Sequence, residues 1–168
     1  SGDWSSDVCS SDLYEQAPVD YSINIRHVQL FMKKLRRRLG NGIKSYGCGE
    51  YGEKRGRPHY HLLLFNCPLQ DLTHTRNIRG NKYYESDTIK QAWSDIEGCK
   101  PGFTLVGDLN IQTAAYVARY VTKKFTNKDL GAVLQEYSWT DPEKEITYLR
   151  EPERTIAVSQ GIGRQFFH

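Results

Sequence analysis

His59-Tyr60-His61 lies inside a strand-like run, PHYHLLLFN, at residues 58–66. Side chains alternate across a strand, so residues i and i+2 share a face. The two imidazoles would therefore stand side by side, with Cα atoms about 6–7 Å apart. Two histidines so placed form a bidentate metal platform. Imidazole suits Mn2+, Zn2+ and similar ions, while an added carboxylate shifts the preference toward harder ions such as Mg2+ and Mn2+. If residues 52–57 turn a hairpin, Glu50 on the preceding run IKSYGCGEY (43–51) comes nearly opposite His59 and supplies that carboxylate. On its own the histidine pair is equally compatible with hydrogen-bonded or surface imidazoles.

A second group lies on a helical pattern over about residues 111–125. At about 100° per residue, Ile111, Ala114, Ala118 and Val121 cluster on one side, and Tyr116, Tyr120, Lys123 and Lys124 fall on the other. Tyrosines at i, i+4 are neighbours one turn apart. A phenol with a pKa near 10 is a poor nucleophile at neutral pH unless a cation stabilises the phenolate or a base takes the proton. Lys124, one turn beyond Tyr120, is spaced for the first task. Taken alone, the helix favours a plainer reading, two amphipathic tyrosines half-buried against a neighbour. Taken together, the two groups match one chemistry. A metal held by imidazoles and a carboxylate polarises a phosphodiester, and a tyrosine attacks phosphorus to leave a 5′-phosphotyrosine and a free 3′-hydroxyl.

The elements that must position these groups are legible in outline. IRHVQLFMKKLRRRL (25–39) places Val28, Phe31, Leu35 and Leu39 at helical spacing, with Gly40 and Asn41-Gly42 as the stop. Its other face carries Lys33, Lys34, Arg36, Arg37 and Arg38, most simply a solvated face but dense enough in cations to be a phosphate-facing candidate. The connection at 52–57 gives the expected hairpin a basic tip of Lys54, Arg55 and Arg57. Residues 67–85, rich in Asn, Gly, Thr and Arg, read as a loop. Ser86 or Asp87 can cap a short helix lined by Ile89, Ala92, Trp93 and Ile96 and ending at Gly98. Phe103–Val106 reads as a strand, residues 137–150 as one strand pair, and the GIG at 161–163 as part of a polar loop.

Of the 168 residues, 23 are Lys or Arg and 20 are Asp or Glu, a net charge of +3. Three of the acids, Asp3, Asp7 and Asp12, fall in SGDWSSDVCSSDL, which has no Lys or Arg, so residues 14–168 carry +6. Residues 1–13 resemble a translated sequencing-adapter remnant and are read as a non-native scar, with a natural polar tail as the alternative. Residues 14–168 show no internal repeat or low-complexity linker and are read as one domain. Mean hydropathy is -0.66, and no apolar window approaches the roughly 18 residues of a spanning helix, so no membrane partner is expected. Outside the first thirteen residues, Cys48, Cys67 and Cys99 form no CxxC pair, which argues against a disulfide framework or a zinc finger and for a reducing, cytoplasmic setting.

GEYGEKRGRPHYHLLLF (49–65) and AAYVARYVTKK (114–124) resemble the metal and tyrosine motifs of HUH-superfamily rolling-circle replication initiators, in particular those of gokushovirus-like microviruses. The likeness extends to YSINIRHVQLFMKKLRRRL and the terminal QGIGRQFF. It implies His59 and His61 as metal ligands with Glu50 as the third, Tyr116 and Tyr120 as the nucleophile pair, Lys124 as an auxiliary cation, and Mg2+ or Mn2+ as the ion. Lys33, Lys34, Arg36, Arg37, Arg38, Lys54, Arg55, Arg57 and Lys123 become the expected DNA contacts. The implied partners are single-stranded origin DNA and a host replication helicase or polymerase, in the cytoplasm of an infected bacterium. The implied fold is α+β, an antiparallel sheet of about five strands, ferredoxin/RRM-like, with flanking helices and a central two-His strand. Its first native strand is expected to be missing, displaced by the scar, and the domain truncated at both ends. The competing expectations are a non-catalytic module for single-stranded nucleic acid and a metal-dependent nuclease that uses activated water.

Overall fold

The computed structural model describes residues 4–6, 22–51, 58–94, 96, 103–122, 138–141 and 144–156, with backbone alone at 4–6, 116, 119–122 and 154–156. Its centre is the antiparallel pair β2 (Lys44–Tyr51) and β3 (Pro58–Phe65). The pair is in register over all eight residues of each strand, from Lys44↔Phe65 to Tyr51↔Pro58. β3 is buried on both faces because both are covered. Tyr60, Leu62 and Leu64 pack on one side with Val28, Phe31 and Leu35 of α1 (Ile25–Leu39) and with Ile89 and Trp93 of α2 (Asp87–Ser94). Leu63 points to the other side with Cys48, against Val117 and Ala114 of α3 (Ile111–Thr122).

The first layer is built around Trp93, whose ring meets Phe31 edge-on at 5.4 Å and Tyr60 at 5.2 Å between centroids. Tyr60 is 2 % exposed, and its hydroxyl accepts a 2.8 Å hydrogen bond from the Asn24 N–H. The same Asn24 caps α1 by accepting from the Arg26 N–H through Oδ1 at 2.9 Å. The strand thus fixes where the helix starts. Gly40, at φ 111°, closes the other end as the sequence stop implies.

The expected loop at 67–85 is a hairpin instead. β4 (Leu72–Ile78) pairs with β5 (Asn81–Ser86) through a two-residue turn in which Arg79 (φ 50°) and Gly80 (φ 83°) both take positive φ. That is the type I′ geometry that suits the twist of a hairpin. A polar ribbon with weak alternation hides its strands, and the Arg79-Gly80 pair between Thr- and Tyr-bearing runs was the available signal.

The remaining strands are β6 (Val106–Asp108), β7 (Ser138–Thr140), β8 (Thr147–Leu149) and β9 (Arg154–Ile156). β7 and β8 form a separate antiparallel pair, with Trp139 stacked on Tyr148, where the sequence reads one strand pair. The main sheet has the order β4-β5-β6-β1-β3-β2-β9, so its described strands number seven rather than about five. The α+β class with helices flanking an antiparallel sheet stands as expected. Besides β4 and β5, an unexpected member is β1 (Trp4–Ser6), which lies in the segment read from sequence as a scar. It pairs antiparallel with β3 (Ser6↔Leu62) and with β6 (Ser5↔Gly107), filling the place beside the two-His strand. Ladder hydrogen bonds use backbone groups that nearly every residue carries, so composition does not betray such a strand. No helix among the described residues is long and apolar enough to cross a membrane.

α2 begins on a small hydrogen-bond network. Asp71 accepts from the Thr88 N–H at 2.7 Å and from the Ser86 hydroxyl at 2.8 Å, and Ser86 Oγ accepts from the Ile89 N–H at 3.2 Å. Burial acts to raise the Asp71 carboxyl, but the hydrogen bonds from Thr88 and Ser86 outweigh it and hold the group below the usual carboxylate range. A depressed folded pKa means stabilisation that is present above about pH 4 and is lost as pH falls through the folded value. Asp71→Asn should therefore cost about 1 kcal/mol at pH 7. The gap to the wild type should narrow in urea unfolding at pH 3, and a gap independent of pH would refute the assignment.

Candidate functional site

The β2–β3 register decides which side chains meet. Glu50 is directly opposite His59 and Cys48 directly opposite His61, so these four residues share one sheet face. Adjacent residues take the other face, where Tyr51 and Tyr60 join the core. His61 Nε2 and Glu50 Oε1 are 2.6 Å apart, at side-chain exposures of 8 % and 15 %. His59 is half-buried next to them. The donor types, two imidazoles and a carboxylate, fit a divalent ion of the Mg2+, Mn2+ or Zn2+ kind. Their arrangement is a hydrogen-bonded pair plus a neighbour: among the described residues no three His, Cys, Asp or Glu groups converge on a common point. An ion bound by both His61 and Glu50 would take the place of their mutual hydrogen bond.

Glu50 is held from its C-terminal side. The Tyr51 N–H donates to Glu153 Oε1 at 2.6 Å, and the Tyr51 hydroxyl donates to the Glu151 carbonyl at 2.6 Å. The Arg150 guanidinium sits 3.9 Å over the Tyr51 ring. This fastening joins residues a hundred positions apart, and nothing in the sequence spacing announced it.

α3 packs on the site face. Asn110 caps it, accepting from the Thr113 N–H at 2.9 Å while its own N–H donates to Thr113 Oγ1 at 3.0 Å. Leu109 just before the cap and Ala114 just after the first turn both pack on the Cys48, Leu63 and Val117 cluster, a hydrophobic staple that fixes the entry angle. The expected apolar stripe is rotated as a result. Ile111 is 89 % exposed and Ala118 is exposed, while Val117 is fully buried. Tyr120 occupies the helical position about 60° round the axis from Val117, and Tyr116 the position about 100° round in the same sense. Ala114, which also packs on the sheet, lies about 60° from Val117 in the other sense, so from the direction between these two the position of Tyr120 is about 90° round and that of Tyr116 about 130°.

On the same face, the Tyr46 phenol is pushed above its usual value by burial and then by Cys48, so it stays protonated at neutral pH. Cys48 and Cys67 are buried, and neither is in a disulfide. Burial and then Asp71 raise Cys67 to about 11, which leaves it an unreactive thiol.

The basic residues of α1 are elsewhere. α1 packs on the Tyr60 face, so Lys33, Lys34, Arg36, Arg37 and Arg38 lie across the sheet from Glu50, His59 and His61. Among them, Arg36 Nε donates to the Ile43 carbonyl at 2.9 Å and Arg38 Nη1 to the Thr88 carbonyl at 3.3 Å. The sequence pattern identified a basic helix face but carried no information about which side of the sheet the helix would cover. Lys54, Arg55, Arg57, Lys123 and Lys124 lie outside the described residues, as do Cys9, Cys99 and the GIG at 161–163.

With this geometry in place, the class of the protein follows from comparison. The family model of the replication-associated protein ORF2/G2P matches residues 14–125, and the chain belongs to that family. Among its relatives, the replication-associated protein ORF2 of Spiroplasma virus 4 is 38% identical over 146 residues, covering 84% of this chain and 39% of the relative. The replication-associated protein ORF4 of Chlamydia phage 1 is 34% identical over 115 residues, covering 63% and 27%. The replication-associated protein VP4 of Bdellovibrio phage phiMH2K is 33% identical over 107 residues, covering 58% and 32%. The chain thus spans well under half the length of these relatives. No solved structure matches significantly.

Gly47 of β2 lies directly opposite Leu62 of β3. A Cβ there would collide with the His61 carbonyl oxygen and with the Leu62 side chain. Gly47→Ala should cost about 1–3 kcal/mol in denaturant unfolding, because the two-His strand must shift to admit the methyl. Wild-type stability in this variant would show that the strands are not so closely apposed.

Proposed function

We propose that this chain carries the nicking and rejoining centre of a phage replication initiator. It acts on single-stranded origin DNA through a covalent 5′-phosphotyrosine and so starts rolling-circle replication of a small single-stranded DNA genome. The observation that carries this reading is that α3, bearing Tyr116 and Tyr120, packs on the sheet face that holds Glu50, His59 and His61. Membership in a family of replication-associated proteins, with relatives from small phages, supports the same reading.

In this centre His59, His61 and Glu50 hold Mg2+ or Mn2+, which when bound supplies charge neutralisation at the scissile phosphate. A tyrosine oxygen attacks phosphorus. The new bond is Tyr O–P, the broken one is P–O3′, and the phenolic proton leaves as the 3′-oxygen is released as a hydroxyl. The phosphodiester energy is retained in the tyrosyl ester, so a 3′-hydroxyl attacking the same phosphorus reverses the step and seals the strand. Lys124 stabilises the phenolate and Lys123 a neighbouring phosphate. The hairpin tip Lys54, Arg55 and Arg57 guides the strand by salt-sensitive contact. The cations of α1 serve DNA that passes round the sheet edge, or a host helicase or polymerase. The setting is the cytoplasm of the infected bacterium.

Denaturing gels of labelled single-stranded origin DNA test this centre. Wild-type protein should form an adduct that depends on Mg2+ or Mn2+, and Tyr116→Phe with Tyr120→Phe should abolish it while sparing binding. Glu50→Gln should raise the metal concentration needed by about 10–100-fold. Adducts that persist in the double tyrosine variant overturn the nucleophile assignment. Metal-independent binding without any adduct would identify a non-catalytic single-strand-binding module instead.

A further inference from the structure

The sheet face that carries the site continues well beyond it. Leu63 pairs with Tyr46 on one side and with Ser5 on the other, Ser5 with Gly107, Gly107 with Tyr83, and Tyr83 with Arg76. Directly paired residues share a face, so Arg76 and Tyr83 lie on the side of His59, His61 and Glu50. At about 4.8 Å between strands, the β5 and β4 positions are roughly 14 and 19 Å from β3. Gly107 leaves room for what lies there: a Cβ in its place would be 3.3 Å from Tyr83 Cε1, so the tyrosine ring leans over the glycine and along the sheet. Beside it, the exposed Arg76 holds its guanidinium 4.7 Å over the Phe103 ring.

We propose that Arg76, Tyr83 and Phe103 form a stacking and phosphate-binding platform for single-stranded DNA a few nucleotides from the point of cleavage. The proposal rests on the DNA-processing function given above. Two rings and a planar cation at the rim of a β-sheet offer unpaired bases π-faces, and the guanidinium offers a phosphate a charge-assisted contact. A duplex conceals its base faces and gains only the charge. Arg79, exposed in the turn of the same hairpin, adds positive charge at its tip.

Fluorescence anisotropy of the full chain with fluorescein-labelled oligo(dT), and with a labelled duplex as control, tests this platform. Arg76→Gln and Tyr83→Leu should each weaken oligo(dT) binding by about 5–50-fold, and Tyr83→Phe by no more than about twofold. Arg76→Gln should also lower the salt dependence by about one phosphate contact. Duplex binding should change far less in Tyr83→Leu. Wild-type affinity for oligo(dT) in both Arg76→Gln and Tyr83→Leu overturns the platform and leaves the nicking centre untouched. An equal loss in Tyr83→Phe overturns stacking as the mechanism. If circular dichroism shows that Tyr83→Leu is unfolded, the exposed Arg76→Gln decides alone, and an unchanged affinity and salt slope refute the proposal. Failure of the wild-type chain to bind either DNA counts against the function itself.

Discussion

The in-register pairing of β2 with β3 is the constraint on which the rest of the structure depends. Side-chain alternation turns one register into two assignments at once, Glu50, His59, His61 and Cys48 to one face and Tyr51, Tyr60, Leu62 and Leu64 to the other. A slip by one residue would exchange the faces, burying imidazoles against Trp93 and turning leucines toward α3. Register is held firmly here because both faces are covered. The aromatic cluster of Phe31, Tyr60 and Trp93 makes any slip costly on one side, and the Leu63–Val117 contact does so on the other. The polar residues therefore keep their place because of the apolar residues that alternate with them.

Tyr60 illustrates how closely the two roles are joined. Its ring is core and its hydroxyl fixes the N-terminus of α1, yet its chain neighbours are the two histidines. Tyr51 plays a similar part next to Glu50, with the strap of Arg150, Glu151 and Glu153 closing over it. Glu50, His59 and His61 are thus each next to an aromatic residue anchored in the opposite layer, which limits the freedom of the backbone that carries them.

What was legible in the sequence follows from the range of the interactions involved. The two-His strand, its partner bearing Glu50, the amphipathic α1 and the cap of α2 at Ser86 rest on period-2, period-3.6 or local hydrogen-bond patterns, all readable over a few residues. The rotation of α3 was not legible, because Leu109 and the strand before it set the helix's entry angle and the periodicity of Ile111, Ala114, Ala118 and Val121 did not. The side of the sheet taken by α1 was not legible either, since a basic face implies solvent and carries no information about which layer it borders. β4 and β5 were missed because a polar ribbon, exposed from Thr73 to Ile78, has little alternation to detect, and β1 because a three-residue ladder rests on backbone groups that leave no compositional trace.

The brevity of β1 has a mechanical meaning. On one side of it lies the half-sheet β3-β2-β9 with the histidines, and on the other the half-sheet β4-β5-β6 with the protruding hairpin. Within the sheet these two plates are joined through three residues, Trp4–Ser6, while α3, continuous with β6 and packed on β2 and β3, ties them from above. The plates also share one core, in which Val106 of β6 and Tyr84 of β5 pack with Tyr60, Leu62 and Leu64 of β3, so a twist between them would have to disturb both that core and the seat of the helix that carries Tyr116 and Tyr120.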